Sequence, residues 1–172
     1  IKVELRGEPG DFIWVIIERL GGNTPPVADA GMDQTAYVTQ AVTLDGSKSS
    51  DADGDPLVYR WAWSSCPEGS TAMISDPSAV KPTFTVDKPG EYIAQLIVND
   101  GMEDSEPDTV MVTTRNSAPV ADAGLDRTTY VAQVVTLDGS RSGDVDGDLL
   151  SFLWELILRP AGSVAVLSDA TA

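Results

Sequence analysis

Two short acidic loops hold the residues of this chain whose types and spacing are suited to chemistry. The first reads DADGD from Asp51 to Asp55, and the second reads DVDGD from Asp144 to Asp148. Alternate carboxylates with a glycine that turns the backbone suit a hard cation that prefers oxygen ligands, above all Ca²⁺. The alternative is a solvated polar turn, in which Asp and Gly only serve the backbone geometry.

The composition argues against several other kinds of chemistry and partner. The chain has 172 residues, a net charge of −16 and no histidine, so it lacks the commonest general base and transition-metal ligand. The negative charge disfavours nucleic acid, whose phosphates need clustered Lys and Arg, and it disfavours anionic membranes. The longest apolar run, Phe12 to Ile17, is too short to cross a bilayer, so we expect no membrane insertion.

Three further features are of types that can serve in catalysis or binding. Paired carboxylates occur in glycoside hydrolases, but these acids recur with a repeat, and a catalytic pair needs no duplication; we therefore predict that the chain is not an enzyme. The single cysteine, Cys66, is interpreted as a bystander thiol, with an intermolecular disulfide as the alternative. Trp63 could stack on a sugar, but its alternation with Trp61 favours a place in the core.

An internal repeat determines the architecture that must position the acidic loops. NTPPVADAG at Asn23–Gly31 recurs as NSAPVADAG at Asn116–Gly124, and the acidic loops recur with the same offset of 93 residues. About 32 of the 57 overlapping positions are identical. We therefore divide the chain into a first segment at 1–22, a complete repeat at 23–115 and the front part of a following repeat at 116–172.

Within the complete repeat, short strand-like runs alternate with turn residues, and no segment has a helical period. The predicted strands are Ala41–Leu44, Leu57–Trp63, Thr83–Val86, Tyr92–Val98 and Thr109–Thr113. A period of two puts Leu57, Tyr59, Trp61 and Trp63 on one face. The corresponding face of the second copy has Leu150, Phe152, Trp154 and Leu156. These patterns predict an all-β fold of tandem immunoglobulin-like sandwiches, with Trp61 and Trp154 at the core centres.

The first segment, residues 1–22, occupies positions equivalent to 94–115 and is predicted to form the last two strands of a preceding or donated repeat. One explanation is that the chain is an excised stretch of a longer array. The other is that a neighbouring subunit supplies this hairpin by strand addition, which would build a head-to-tail filament. The apolar alternation of Phe12, Trp14 and Ile16 suits an inserted strand, whereas the lack of counterparts of Val80–Ile93 counts against a complete fit.

The long ordered motif resembles the PKD (polycystic kidney disease) family, in the form found in bacterial surface proteins and some neuronal receptors. The matching residues are Pro26–Gln34, Val42–Asp55, Tyr59, Trp61, Gly90, Tyr92, Leu96, Val98, Asp100 and Gly101. RWAWSS stands where other branches of the family have WDFGDG. The resemblance implies an immunoglobulin-like PKD sandwich in the complete repeat, with partial repeats on both sides.

Topology and the resemblance both point to a cation site at the head of each repeat. In such a sandwich the chain start and two loops share one end, which brings Asn23, Asp51, Asp53 and Asp100 together. The resemblance to calcium-binding PKD domains implies a first Ca²⁺ site made of Asn23, Thr24, Asp51, Asp53 and Asp100. The matching residues of the second copy are Asn116, Ser117, Asp144 and Asp146. If residues 1–22 complete the second repeat, Gly7 replaces Asp100 and weakens that site.

These features together predict a non-enzymatic structural or adhesion module that is extracellular or on a cell surface. Each cation site lies where two repeats join, so bound Ca²⁺ would stiffen a rod of repeats. The expected partners are another protein, a neighbouring subunit in a head-to-tail assembly, or an extracellular polysaccharide or matrix, with no nucleic acid. The alternative function is an accessory domain that holds substrate for a secreted hydrolase.

Overall fold

The computed structural model describes residues 2–6, 14–18 and 22–171, and these residues form β-strands and no helix. The strands are β1 Lys2–Arg6, β2 Trp14–Glu18, β3 Gln34–Ala36, β4 Ala41–Thr43, β5 Val58–Ser65, β6 Thr83–Thr85, β7 Glu91–Asn99 and β8 Asp108–Thr114. The all-β prediction is therefore confirmed for the described residues, among which no helix could span a membrane. The five strands predicted for the complete repeat match β4 to β8, with ends that differ by no more than two residues.

Strands β3 to β8 form a two-layer sandwich. One layer is a four-stranded sheet in the order β3-β8-β7-β5, and the other is the antiparallel pair β4-β6. The short strand β3 was missed from the sequence; it pairs in parallel with β8, from Gln34 opposite Val112 to Ala36 opposite Thr114. The equally short strands β4 and β6 carry Val42 and Phe84, whereas β3 has no large apolar residue, so its sequence does not stand out from the turns around it.

The core lies between these two layers. Trp61 of β5 and Leu96 of β7 are buried in the same cluster as Val42 of β4 and Phe84 of β6. Burying a large apolar side chain contributes about 1.5–3 kcal/mol, so this cluster is the main source of stability of the repeat. The predicted inner face of β5 is confirmed, since Trp61 is only 3% exposed and the other three members pack against the core: Leu57, Tyr59 and Trp63.

The second copy reproduces the local backbone of the first. The amide of Trp61 donates to the carbonyl of Pro77 at 2.9 Å, and that of Trp154 donates to the carbonyl of Ala170, 93 residues further on in each case, at 2.8 Å. Thr39, at φ 73°, and its counterpart Ala132, at φ 66°, are the two described residues other than glycine with positive φ. Matched turns also join Ser49 to Gly46 and Ser142 to Gly139.

The second copy nevertheless does not form a closed sandwich within residues 116–171. Those residues contain one isolated β-bridge, between Val120 and Gly143, and no strand. Trp154 is half-buried and Leu156 is 39% exposed, so the prediction of a second core centred on Trp154 is wrong for the described residues. In the complete repeat Trp61 is buried with Leu96 of the neighbouring strand β7 and with Val42 and Phe84 of the opposite layer, whereas residues 116–171 contain no such strands.

The first segment forms a separate antiparallel pair of strands, β1 and β2. Lys2 lies opposite Glu18 and Arg6 lies opposite Trp14, whereas the equivalent residue of β7, Gln95, lies opposite Thr109. Moved by 93 residues, Thr109 corresponds to Ile16 and not to Glu18, so the pairing of β1 with β2 is shifted by two residues from that of β7 with β8. A shift of two residues leaves the same residues on each face of a strand. Phe12 and Gly7, which figured in the sequence predictions, lie outside the described residues.

Candidate cation site at the head of each repeat

The DADGD loop is folded by its own first carboxylate. Asp51 Oδ1 accepts hydrogen bonds from the backbone amides of Asp53, at 2.8 Å, and Asp55, at 3.0 Å. Gly54 takes φ +78°, a conformation that costs side-chain-bearing residues energy, and its amide donates to the carbonyl of Asp51 at 3.3 Å. Aspartate and glycine are thus needed here for the turn itself, and the turn makes the carboxylates converge.

The first two residues of the repeat are hydrogen-bonded at this end of the sandwich, one of them to the DADGD loop. The amide of Thr24 donates to Asp53 Oδ2 at 2.8 Å, and Asn23 Nδ2 donates to Asp100 Oδ2 at 2.8 Å. Asp100 follows the end of β7 and is only 7% exposed. The structure therefore brings all five predicted residues of the first site to one end of the sandwich, in two hydrogen-bonded groups that the adjacent residues Asn23 and Thr24 connect. Asn23 is bonded to Asp100, and Thr24 is bonded to Asp53, whose amide is bonded to Asp51.

The pKa of Asp100 is held below its usual range. The largest cause is the hydrogen bond from the amide of Glu103, followed by those from Asn23 Nδ2 and the amide of Met102. Asp100 Oδ1 accepts from Met102 at 2.7 Å and from Glu103 at 2.8 Å. Donors that favour the charged form keep this carboxylate ionised well into acid. It is therefore available as an anionic ligand at neutral pH.

Two oxygen atoms of the head are buried without a hydrogen-bond partner, namely Asn23 Oδ1 and Asp51 Oδ2. Such a buried acceptor costs about 1–3 kcal/mol unless something satisfies it. The carboxylates of Asp51, Asp53 and Asp55 also offer oxygens that all lie within 4.8 Å of one another. Ca²⁺ takes six to eight oxygen ligands from carboxylates, amide carbonyls and water, so these residues fit that ion.

The second head repeats this arrangement in part. Asp144 Oδ1 accepts from the amide of Asp146 at 2.8 Å, and Asp146 Oδ2 accepts from the amide of Ser117. Asp146 Oδ1 is buried without a hydrogen-bond partner. Asn116 differs from Asn23, since it is exposed and its Nδ2 donates to the carbonyl of Ser117 at 3.1 Å. The described residues thus bring Ser117, Asp144 and Asp146 together and leave Asn116 at the edge.

Asp55 is the residue of the first head that the predicted ligand set left out. Its carboxylate belongs to the converging trio, and its amide is bound to Asp51. The signal was present in the sequence as the third acid of DADGD, and Asp148 is its counterpart in DVDGD. Within residues 22–171 the first loop is the place where three carboxylates come within 4.8 Å of one another.

Trp63 and Cys66 lie elsewhere. The Trp63 ring packs edge-on against Phe84, with centroids 4.8 Å apart, and its Nε1 donates to the carbonyl of Ala72 at 3.0 Å. That environment favours the predicted core role over sugar stacking. Cys66 is half-buried and unpaired, and burial together with the charge of Asp87 raises the pKa of its thiol. A thiol of raised pKa is a poor nucleophile, in agreement with the interpretation of Cys66 as a bystander.

Comparison with known proteins shows what this chain is similar to. Residues 30–114 match the family described as K319L-like, PKD domain. The mouse dyslexia-associated protein KIAA0319 homolog is 36% identical over 144 residues, which is 80% of this chain and 13% of the mouse protein. The mouse KIAA0319-like protein is 35% identical over 143 residues, 80% of this chain and 14% of that protein. The chain thus spans about an eighth of the length of these relatives.

Among solved structures, the solution structure of the PKD domain from KIAA 1837 protein has a TM-score of 0.45 and 27% identity, and covers 57% of this chain and 95% of that domain. The alignments to the mouse proteins, at 143 and 144 residues, are longer than the complete repeat and extend into its flanks. Within residues 30–114 the sequence match and the two-layer core agree, and this part of the complete repeat matches the PKD domain family in its K319L-like form.

Proposed function

We propose that the chain is a non-enzymatic extracellular module of PKD repeats that binds Ca²⁺ at the head of each repeat and serves connection or contact. The observation that carries the proposal is the head itself: two buried, unpartnered oxygens, on Asn23 and Asp51, beside three convergent carboxylates. A polar turn without an ion has no need to bury acceptors in this way. Polymerisation by strand donation from a neighbouring subunit is a separate proposal, which does not depend on this site.

The bound ion would stiffen the junction between repeats. The amide of Arg115 donates to the carbonyl of Ala36 at 2.8 Å, which ties it to the first repeat. The amide of Ser117 donates to Asp146, which ties it to the second. Asn116 alone lies between them, and it is a proposed ligand of the second site. An ion held by Asn116, Asp144 and Asp146 would fix the one residue about which the repeats can turn.

An extracellular or cell-surface setting fits this site. Extracellular calcium modules bind at about 10⁻⁴–10⁻³ M, a range suited to sites with few charged ligands and some water. An acidic chain with a net charge of −16 attracts cations and has no basic surface for nucleic acid. We propose that the partner of the module is another protein, and the alternative partner is an extracellular polysaccharide or the matrix.

The accessory-domain alternative is less well supported. The residue that could have stacked on a sugar, Trp63, packs against Phe84 in the core. A substrate-holding role would therefore need a binding surface other than this aromatic ring. The parent sequence separates the two functions, because a protease or glycosidase motif in the same polypeptide would favour the accessory role.

Thermal unfolding tests the cation site. We expect 1 mM CaCl₂ to raise the midpoint of the repeat at 23–115 relative to excess chelator; for a Kd of about 10⁻⁴ M the stabilisation is about 1.4 kcal/mol. Asp51→Asn should abolish most of that rise, because it neutralises the carboxylate that shapes the loop and offers a free oxygen. Glu91→Gln, which removes an exposed carboxylate from β7, is the matched control and should retain it. Equal midpoints with Ca²⁺ and chelator would refute calcium binding.

A further inference from the structure

The outer face of the four-stranded sheet is uncharged over most of its area. Alternation in β5, β7 and β8 directs one set of side chains into the core and the other set outward. Most of the outward side chains are apolar or are uncharged polar groups, and the apolar ones are Val58, Ala62, Ile93, Ile97 and Met111. Val58 is 62% exposed, and Ile93, Ile97 and Met111 are half-buried, so water reaches this face of the complete repeat.

Arg60 and Glu91 are the charged side chains of this face, and they lie at its two ends. Arg60 of β5 lies opposite Ile97, whereas Glu91 is the first residue of β7, about 20 Å away along the strand. The face is therefore neutral, although the whole chain has a net charge of −16. Arg60 Nη2 donates to Asp104 Oδ2 at 2.8 Å, in a pair whose side chains are about half-exposed. A guanidinium has several N–H donors, so Arg60 can bind a second carboxylate as well.

We propose that this face binds the same face of a second copy of the chain, in a weak two-fold dimer. Two chains of net charge −16 repel each other over most of their surfaces, so they approach closely only where each of them is neutral. A basic partner would instead be attracted to the acidic loops at the head of the repeat, away from this face. The inference goes beyond cation binding and does not depend on it.

The two charges determine how the copies face each other. In a two-fold interface, a residue that contacts a second residue is matched by the reciprocal contact. If the two β7 strands run antiparallel about an axis near Ile93, Arg60 of each copy lies over the end of the sheet that carries Glu91 of the other. Sheets packed face to face are about 10 Å apart, a gap that an arginine and a glutamate side chain span together. A parallel arrangement would bring the two Arg60 side chains to the same end, where they repel.

The size of the face indicates a weak interaction. Three strands of seven to nine residues cover on the order of 350 Å² on each copy. The total of about 700 Å² is smaller than the area buried in stable complexes, so the dimer should form only at high concentration. Dilute samples that test the cation site are therefore monomeric, and Glu91→Gln remains a valid control there.

Sedimentation equilibrium in excess chelator tests the dimer without any contribution from calcium. We expect a monomer–dimer equilibrium as the chain approaches millimolar concentration. Ile93→Asp, which brings two carboxylates together near the axis, should leave a monomer. Thr85→Asp is the matched control, because it adds the same charge to the exposed outer face of β6 in the other layer, and it should not. A monomer at all concentrations, or a dimer that survives Ile93→Asp, would overturn the proposal.

Charge exchange tests the antiparallel arrangement with variants that leave the core unchanged. Arg60→Glu and Glu91→Arg should each weaken dimerisation about fivefold, because like charges replace an attractive pair. An equimolar mixture of the two variants should associate as strongly as the parent chain, since one copy then supplies both acids and the other both bases. Asp104→Asn, which removes the partner of Arg60 within the same chain, should not weaken dimerisation. If the mixture fails to recover association, the proposed two-fold contact is wrong.

Discussion

Asp87 is the side chain that closes the end of the core remote from the cation site. Its carboxylate accepts from Ser70 Oγ at 2.6 Å, from the Thr71 amide at 2.6 Å and from the Tyr92 hydroxyl at 2.9 Å. The hydrogen bond from Ser70 is the largest cause that holds the pKa of Asp87 well below its usual range. One charged acceptor thus fixes the loop at 70–71 and the buried ring of Tyr92.

We expect Asp87→Asn to lower the free energy of unfolding by about 1–3 kcal/mol at pH 7, since the amide cannot accept all of these bonds. The folded-state pKa of Asp87 lies below the unfolded value of about 3.9, so its contribution is present above that pH and is lost as the pH falls towards the folded value. Urea unfolding of both proteins at pH 7, 5 and 3 measures this. The difference between them should be constant from pH 7 to 5 and smaller at pH 3. A difference that grows in acid would contradict the assignment.

At the scale of the elements, two matched glycines show how the same turn meets two different environments. A methyl group on Gly46 would meet the side chains of Leu96 and Trp61. Both of these residues are buried in the core, so they have little room to move away from it. A methyl group on Gly139 would meet the rings of Trp154 and Phe152, and both of those residues are only half-buried. The same substitution is therefore expected to cost different amounts in the two copies.

Gly46→Ala should destabilise the complete repeat by about 1–3 kcal/mol, the usual cost of overpacking a core. Gly139→Ala should lower the free energy of unfolding by less than half as much, because the half-buried rings of Trp154 and Phe152 have room to move away from the added methyl group. Chemical unfolding of the two variants beside the parent chain measures both values. Equal losses would show that the second copy is closed as tightly as the first.

How far the sequence determined these elements depended on what each pattern contained. The alternation of Leu57, Tyr59, Trp61 and Trp63 predicted β5 and its buried face, because a period of two over seven residues is a property of the strand itself. The strand β3 was not predictable, since its three residues form a strand only through parallel pairing with β8. Trp154 is only half-buried for a related reason, because burial of the equivalent Trp61 requires residues of β4, β6 and β7, which alternation within one segment does not provide.

The sequence predicted which residues form the candidate site better than it predicted how they are arranged. The repeated acids and the shared end of the sandwich predicted that Asn23, Asp51 and Asp100 meet, and hydrogen bonds join their loops. The convergence of Asp55 and the exposure of Asn116 depend on details of backbone conformation that residue types alone do not define. Their role in binding an ion stays a prediction.

At the scale of the whole molecule, stability is concentrated in the complete repeat. Its fourteen core residues at 30–112 form a single buried cluster, whereas in residues 116–171 large apolar side chains such as Tyr130, Val131 and Leu149 are 87% or more exposed. Protection from hydrogen exchange follows buried, hydrogen-bonded backbone, so the two parts should open with different free energies. Residues 116–171 are expected to open at a lower free energy than the complete repeat.

Hydrogen exchange measured by mass spectrometry should therefore divide the dilute, calcium-free chain in two. Peptides covering 92–98 should exchange only through global unfolding, because β7 has a partner strand on each side. Peptides covering 150–156 should exchange at least tenfold faster, since none of the described strands includes this segment. Protection of 150–156 that matches that of 92–98 would contradict the concentration of stability in the complete repeat.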